Sequence, residues 1–123
     1  MKITTFNPLI VSKDAESIIK LFEELGFEQR HKKTDIEGGE VVDVRMKNEG
    51  GFHVDVAGSA KRERDLTAIR INVDNFETAY DLFISHGFIN PQGDKVSETS
   101  SSVDTLLVSP SGFTVMLCEH VRE

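Results

Sequence analysis

Residues 48–56 read Asn-Glu-Gly-Gly-Phe-His-Val-Asp-Val, and residues 109–117 read Ser-Pro-Ser-Gly-Phe-Thr-Val-Met-Leu. Each stretch is a polar turn that ends in glycine, followed by phenylalanine and an alternating segment typical of a strand. The second begins 61 residues after the first, and the Gly-Phe pairs at 26–27 and 87–88 differ by the same 61. Ordered matches at one constant shift indicate that the chain contains two copies of one structural module.

The first copy predicts the element order β-α-β-β-β. Asp14 is a good helix N-cap, apolar residues follow it at helical spacing, and Gly26 ends the helix. A turn is expected over residues 35–39. The predicted strands are residues 7–12, a strand that begins at Phe27, and a hairpin of residues 41–47 and 52–57.

The second copy predicts the same order after a charged connection. The expected elements are a strand at 68–73, a helix at 76–86, a strand that opens at Phe88, a polar loop at 91–102, and a hairpin of 103–108 and 113–118. This pattern favours the α+β class. The length favours one domain over 1–123, made of two repeats at 1–58 and 66–120.

The composition excludes several functional classes. A net charge of −7 argues against nucleic acid or an anionic membrane as a partner, and is equally compatible with a cationic small molecule and with a role in solubility alone. No apolar run approaches the roughly 18 residues of a membrane span. One cysteine cannot form an internal disulfide, so a reducing, cytoplasmic location is expected.

The opening over Leu9 to Phe27 and the ending over Ser109 to Glu119 together resemble a known family. They are similar to the glyoxalase, bleomycin-resistance and extradiol-dioxygenase superfamily, also called vicinal oxygen chelate proteins. The segment from Asn7 to Asp14, with Pro8 six residues before the aspartate, looks most like the bleomycin-resistance branch. The resemblance implies a curved mixed sheet with a concave ligand-binding cleft, helices on the convex side, and a homodimer.

The resemblance also implies where the superfamily's enzymes hold a metal ion. The last-strand positions fall on Asp55 and Met116, and the first-strand positions on Asn7 and Ala68. A register slip of one residue would place the first-strand positions on Phe6 and Thr67 instead. Neither register supplies an imidazole, and a catalytic site needs about three protein ligands. We therefore expect no metal and no cofactor.

Polar residues on the predicted strands are candidates for ligand contact. Arg70 and Asn72 alternate with Ile69, Ile71 and Val73, so they share the face that the apolar residues leave. A ligand contact and a solvated edge both explain this pair. His53 and Asp55 share a face in the same way, either as a base with its orienting group or as polar residues that wet a cleft. Cys118 is expected to be buried and inert.

These observations favour a metal-free protein that binds and sequesters a small organic molecule, with no catalytic residue. The alternatives are a metal-dependent lyase, isomerase or dioxygenase of the same superfamily with ligands around His53 and Asp55, and a module without a working site. Whether the two repeats pair within one chain or swap between two chains stays open. The expected ligand-binding residues are Asn7, Leu9, His53, Asp55, Arg70, Asn72, Thr114 and Met116.

Overall fold

The structure is a computed structural model that describes residues 1–36, 41–99 and 101–120. The chain divides into two compact units, Asn7–Thr67 and Met1–Phe6 with Ala68–Glu123. The first six residues thus group with the second repeat, where the Lys2 carbonyl accepts a hydrogen bond from the Asp74 backbone N–H. Neither described helix, of ten residues each, is long enough to cross a bilayer.

The first repeat contains one helix and four strands. Its strand order is β2-β3-β4-β1, with β1 and β4 parallel and the other neighbours antiparallel. The parallel pair needs the long crossover that the helix supplies, whereas the antiparallel strands need only turns. The elements are β1 (Ile3–Ser12), α1 (Ala15–Glu24), β2 (Phe27–Ile36), β3 (Val41–Asn48) and β4 (His53–Gly58).

The second repeat contains the same elements in the same order. Its strand order is β5-β8-β7-β6, again with the first and last strands parallel. The elements are β5 (Leu66–Val73), α2 (Phe76–Ser85), β6 (Ser97–Glu98), β7 (Ser102–Val108) and β8 (Thr114–His120). The α+β class and the two β-α-β-β-β modules are therefore confirmed.

Each helix begins at a capping side chain and packs on one face of its own strands. The Asp14 side chain accepts from the Ser17 N–H, as predicted, and Asn75 accepts from the Thr78 N–H at the equivalent place. In the first repeat Ile19 of α1 joins a core formed by the four strand residues Val44, Met46, Val54 and Val56. In the second repeat Ala79 of α2 joins the core of Ile71, Val73, Leu107, Val115 and Leu117.

The strand registers repeat with the 61-residue shift of the sequence. Leu9 lies opposite Asp55 across the parallel pair of the first repeat, and Arg70 lies opposite Met116 in the second. Across the final hairpin Arg45 faces Asp55, and its counterpart Leu106 faces Met116. The repeat in the sequence is therefore a repeat in backbone pairing, and equivalent side chains point to the same face of their own sheet.

One predicted strand is wrong. No strand opens at Phe88; Ile89 forms only an isolated bridge with Val108, and the two-residue β6 comes later, within the predicted polar loop. The cause is the side chain of Asn90, which accepts from the Gln92 N–H and donates to the Lys95 carbonyl, so the backbone turns. Of the turn predicted at 35–39, residues 37–39 lie outside the described part of the chain.

Candidate functional site

The face of the first sheet that points away from α1 carries most of its buried polar atoms. Val54 and Val56 belong to the core under α1, so His53, Asp55 and Ala57 must point to the opposite face. The register then places Arg45 of β3 and Leu9 of β1 on either side of Asp55. This face is the one on which the sequence predicts a ligand.

Asp55 is the centre of a compact hydrogen-bonded cluster on this face. Arg45 donates from Nε to Oδ1 over 2.9 Å and from Nη2 to Oδ2 over 3.0 Å. Asn7 donates from Nδ2 to Oδ2 over 2.9 Å and also to the Pro8 carbonyl. Asp55 and Asn7 are only 2% and 4% exposed. A two-pronged guanidinium contact of this kind is among the strongest hydrogen-bonded pairs that carboxylates form.

The other predicted site residues of this repeat differ in exposure. Leu9 is buried beside Asp55. His53 is exposed and lies opposite Lys47 near the turn of the hairpin. The structure therefore brings Asn7, Leu9 and Asp55 together in a buried cluster, whereas His53 is at the surface.

At six equivalent positions of this face, the second repeat has the reverse polarity of the first. Where the first repeat holds Asn7, Arg45 and Asp55, the second holds the apolar residues Ala68, Leu106 and Met116. Where the first holds the apolar residues Leu9, Val11 and Ala57, the second holds Arg70, Asn72 and Cys118. At these six positions the two copies therefore place their polar groups differently, whereas both have an aspartate at the next position of the hairpin, Asp43 opposite Ala57 and Asp104 opposite Cys118.

The predicted site residues of the second repeat share this face. Arg70 and Asn72 alternate with Ile71 and Val73, which pack under α2, so the predicted register is the observed one. Asn72 is 1% exposed, and its amide Oδ1 has no hydrogen-bond partner in the described part of the chain. Thr114 is buried at the hairpin end of β8 and donates its hydroxyl to the Gly112 carbonyl. Met116 is half-buried.

The sequence reasoning missed Arg45. The alternation of residues 41–47 does not show which residue of the next strand each one faces. The hairpin turn carries that information, because Lys47 pairs with His53, Met46 with Val54, and Arg45 with Asp55. Counting outward from the five residues 48–52 that connect the paired strands places the arginine opposite the aspartate, whereas a four-residue turn over 48–51 would place it opposite Val54.

The residues at the four inferred ligand positions do not fit a divalent cation. Both oxygens of Asp55 already accept hydrogen bonds from Arg45, whose positive charge occupies the approach that a metal ion would need. Asn7 turns its amide nitrogen, which donates, toward the same carboxylate. Ala68 offers no ligand atom, and Met116 offers only a thioether, a soft donor that suits few of the divalent ions.

A groove of about 540 Å³ lies on the opposite side of the first sheet, beside α1. Ile19 and Val44 form part of its lining, and its rim carries charges of both signs, among them Lys20 and Glu23. None of the predicted site residues lines this groove. It is therefore separate from the candidate site.

The fold is that of the vicinal oxygen chelate superfamily, and the solved structures that resemble this chain include members of it. A glyoxalase/bleomycin resistance protein/dioxygenase superfamily member from Vibrio splendidus 12B01 matches with a TM-score of 0.63 and 16% identity. The match covers 96% of this chain and 99% of that one. The sequence itself matches no family model, and it has no significant match among curated proteins.

Other similar structures are enzymes. Methylmalonyl-CoA epimerase from Mycobacterium tuberculosis matches with a TM-score of 0.70 and 10% identity, over 98% of this chain and 90% of that one. Glyoxalase I from Zea mays matches with a TM-score of 0.69 and 14% identity, over 98% of this chain but 44% of that one. At these identities the similarity defines the fold, while the activity must be argued from the residues of this chain.

Proposed function

We propose that this protein binds a small organic molecule without a metal ion and does no chemistry on it, as a sequestering protein of the bleomycin-resistance type would. The observation that carries the proposal is the contact of Arg45 with both oxygens of Asp55. Asp55 is the one acidic residue at the four positions where the resemblance implies metal ligands. In this chain its charge is balanced by an arginine.

The Arg45–Asp55 pair resists replacement by a metal ion for an energetic reason. The side chain of Asp55 is 2% exposed and that of Arg45 is 27% exposed. A metal ion that took the carboxylate would leave the guanidinium partly buried without its partner, which costs several kcal/mol, about 3–5 in fully buried cases. No group of three or more His, Cys, Asp or Glu residues in the described ranges has a metal-binding arrangement.

Apolar and polar groups both suit the binding of an organic molecule on the second repeat. Leu106 and Met116 are half-buried on the face away from α2, with the buried Asn72 and Thr114 on the same face. Small-molecule sites usually combine a mainly apolar lining with a few polar groups that fix the orientation of the ligand. Such a site needs neither a metal ion nor a nucleophile.

The charge of the ligand is a separate question from its binding. The net charge of −7 favours a cationic molecule, and an unpaired Asp55 would have been its anchor. The pairing with Arg45 removes that anchor. We therefore propose an organic ligand that is held by shape and hydrogen bonds, with Asp55 serving to hold Arg45 and Asn7 in place.

Elemental analysis tests the metal-free part of the proposal. The purified protein is incubated with zinc, nickel, manganese or iron(II), dialysed, and measured for bound metal beside the variant Arg45→Leu, which frees the Asp55 carboxylate. We expect less than about one-tenth of an equivalent of metal on the natural protein, because a stable site requires roughly three protein ligands and these positions do not supply them. Retention of one equivalent of any of these ions would contradict the proposal and favour a metal-dependent enzyme.

A thermal-shift screen of small organic molecules tests the binding part. A molecule that binds only the folded protein raises the unfolding temperature, by an amount that grows with its concentration relative to Kd. Each molecule that raises the temperature is then incubated with the protein and recovered. Recovery of the unchanged molecule is the expected result, whereas its conversion to a product would contradict sequestration.

A further inference from the structure

Asn72 combines deep burial with an amide oxygen that has no hydrogen-bond partner among the described residues. The residue is 1% exposed, and its Oδ1 accepts no hydrogen bond from any described residue. An amide that is taken from water without a partner destabilises the folded state. Native proteins satisfy nearly all such groups, so an exception points to a partner that is not part of the chain.

The other repeat indicates that the fold does not need an asparagine here. The position that corresponds to Asn72 is Val11, which pairs with Ala57 as Asn72 pairs with Cys118. Strand, register and neighbouring helix are equivalent, yet the first copy uses a β-branched apolar residue, which suits a strand better. The amide of Asn72 is therefore explained by something other than the requirements of the backbone.

The surroundings of Asn72 combine polar and apolar groups. Two positions back along β5, Arg70 lies opposite Met116, and Leu106 lies across from Met116 on the next strand. Asp104 lies across from Cys118 in the same way. The face that carries the amide therefore also carries a thioether and a leucine side chain.

We propose that Asn72 is the anchor of a ligand subsite that recognises an amide-like edge, meaning an N–H group next to a carbonyl, as in a primary amide, a lactam or a urea. The Asn72 Oδ1 accepts the ligand N–H, and its Nδ2 donates to the ligand carbonyl, because an asparagine amide presents an acceptor beside donors. The apolar body of the ligand packs on Met116 and Leu106. This inference rests on the proposed small-molecule-binding function and names the ligand class.

The first test is the stability of Asn72→Val, which copies the residue of the other repeat. Removal of an unsatisfied buried amide raises the unfolding temperature of the ligand-free protein, by about 3 °C for a chain of this size. The control is Val11→Asn, which places an amide at the equivalent site and should lower that temperature. A lower unfolding temperature for Asn72→Val would overturn the proposal, because it would mean that the fold itself uses the amide.

The second test uses benzamide and acetophenone, which have nearly the same shape and differ in an NH₂ or CH₃ group beside the carbonyl. Titrations of the ¹⁵N-labelled proteins are followed by NMR at the backbone amide signals of β5 and β8, which the natural protein and Asn72→Val both have. We expect benzamide to bind at least tenfold more tightly than acetophenone, a difference of about 1.4 kcal/mol, and Asn72→Val to abolish this preference.

The outcomes separate this inference from the proposed function. Equal affinity for the two probes, or no signal change at millimolar benzamide, overturns the role of Asn72 but does not contradict the proposed metal-free binding of a small molecule. Stoichiometric metal in the elemental analysis overturns the proposed function, whatever the two probes do. A preference for benzamide that survives in Asn72→Val would place the amide-binding group elsewhere and would likewise overturn the inference.

Discussion

Arg45 holds both carboxylate oxygens of Asp55 across the β3–β4 hairpin, at 2.9 and 3.0 Å. At the same two positions of the second hairpin, Leu106 faces Met116. The same two positions of the fold are thus occupied by a buried ion pair in one repeat and by an apolar pair in the other. The residues of one repeat can therefore be placed at the equivalent positions of the other, and the effect on stability can be measured.

We expect Asp55→Met alone to destabilise the protein, because it leaves Arg45 and Asn7 without their shared acceptor. Breaking a buried ion pair from one side typically costs 3–5 kcal/mol, and the partial exposure of Arg45 reduces this to about 2–3 kcal/mol. Urea denaturation followed by circular dichroism measures the change in the free energy of unfolding.

The matched control transplants the whole apolar set of the second repeat, as Asn7→Ala, Arg45→Leu and Asp55→Met together. Replacement of a buried ion pair by apolar residues of suitable shape is often neutral, so the triple variant should lie within about 1 kcal/mol of the natural protein. If it is as unstable as Asp55→Met, the cluster contributes specific stability that the apolar set does not replace.

The two hairpin turns offer a second prediction, because their hydrogen bonds are the same. The N–H of Gly51 donates to the Asn48 carbonyl over 3.1 Å, and that of Gly112 to the Ser109 carbonyl over 3.0 Å. Both glycines have positive φ, +87° and +104°. We expect Gly51→Ala and Gly112→Ala each to cost about 1–2 kcal/mol, the price of a left-handed conformation for a residue with Cβ.

Gly50→Ala is the control for the turn variants. An added Cβ at Gly50 would meet only side-chain atoms, at 3.4 Å or more, and its φ is not in the left-handed region. Its free energy of unfolding should change by less than about 0.5 kcal/mol, as for most surface substitutions. Equal losses in all three variants would mean that the turns tolerate no side chain at all, and that positive φ is not the cause.

The sequence predicted the architecture well because the two copies support each other. A single hairpin motif such as residues 48–56 specifies little, but its recurrence at 109–117 defines the modules and their registers. Alternation along β5 by itself identified the face that carries Arg70 and Asn72, since alternation along one strand is a local property. These features depend on residues that are neighbours in sequence or on the constant shift.

The site was harder to predict because its contacts join residues that are distant in sequence. Asn7 and Asp55 meet only because β1 and β4 are parallel neighbours, a pairing that the alternation of either strand does not reveal. The sequence alone does not show that the charge of Asp55 is paired, because the pairing depends on Arg45 lying opposite it on the next strand. Likewise, the failed strand at Phe88 reflects the local bonds of Asn90, whose side chain competes with strand pairing.

The homodimer that the resemblance implies is a third prediction. Several large apolar side chains are exposed in the single chain, among them Phe6 at 64% and Phe52 at 69%. Exposed apolar groups favour association when they form one patch, and isolated ones do not. Light scattering at micromolar concentration should give twice the 13.7 kDa of the chain. A particle of 13.7 kDa at that concentration would contradict the dimer.

The start of α2 provides the fourth prediction, because a residue of strand β8 contributes to its cap. The Phe76 N–H donates to the Glu119 carboxylate over 2.6 Å, in addition to the N-cap contact of Asn75 with Thr78. A carboxylate at a helix N-terminus satisfies a free N–H group and interacts favourably with the helix dipole. The corresponding residue of the first repeat is Gly58, so α1 has no such contact from β4.

We therefore expect Glu119→Ala to lower the free energy of unfolding by about 1 kcal/mol, the usual cost of losing a cap. Glu119→Gln keeps an oxygen acceptor and removes the charge, so it should lose about half as much. The control is Glu98→Ala, which removes an exposed glutamate from β6 and should change the free energy by less than about 0.5 kcal/mol. Urea denaturation of the three variants decides between the possibilities. Equal stability of Glu119→Ala and Glu98→Ala would mean that the short contact with Phe76 contributes nothing, and that Asn75 alone caps the helix.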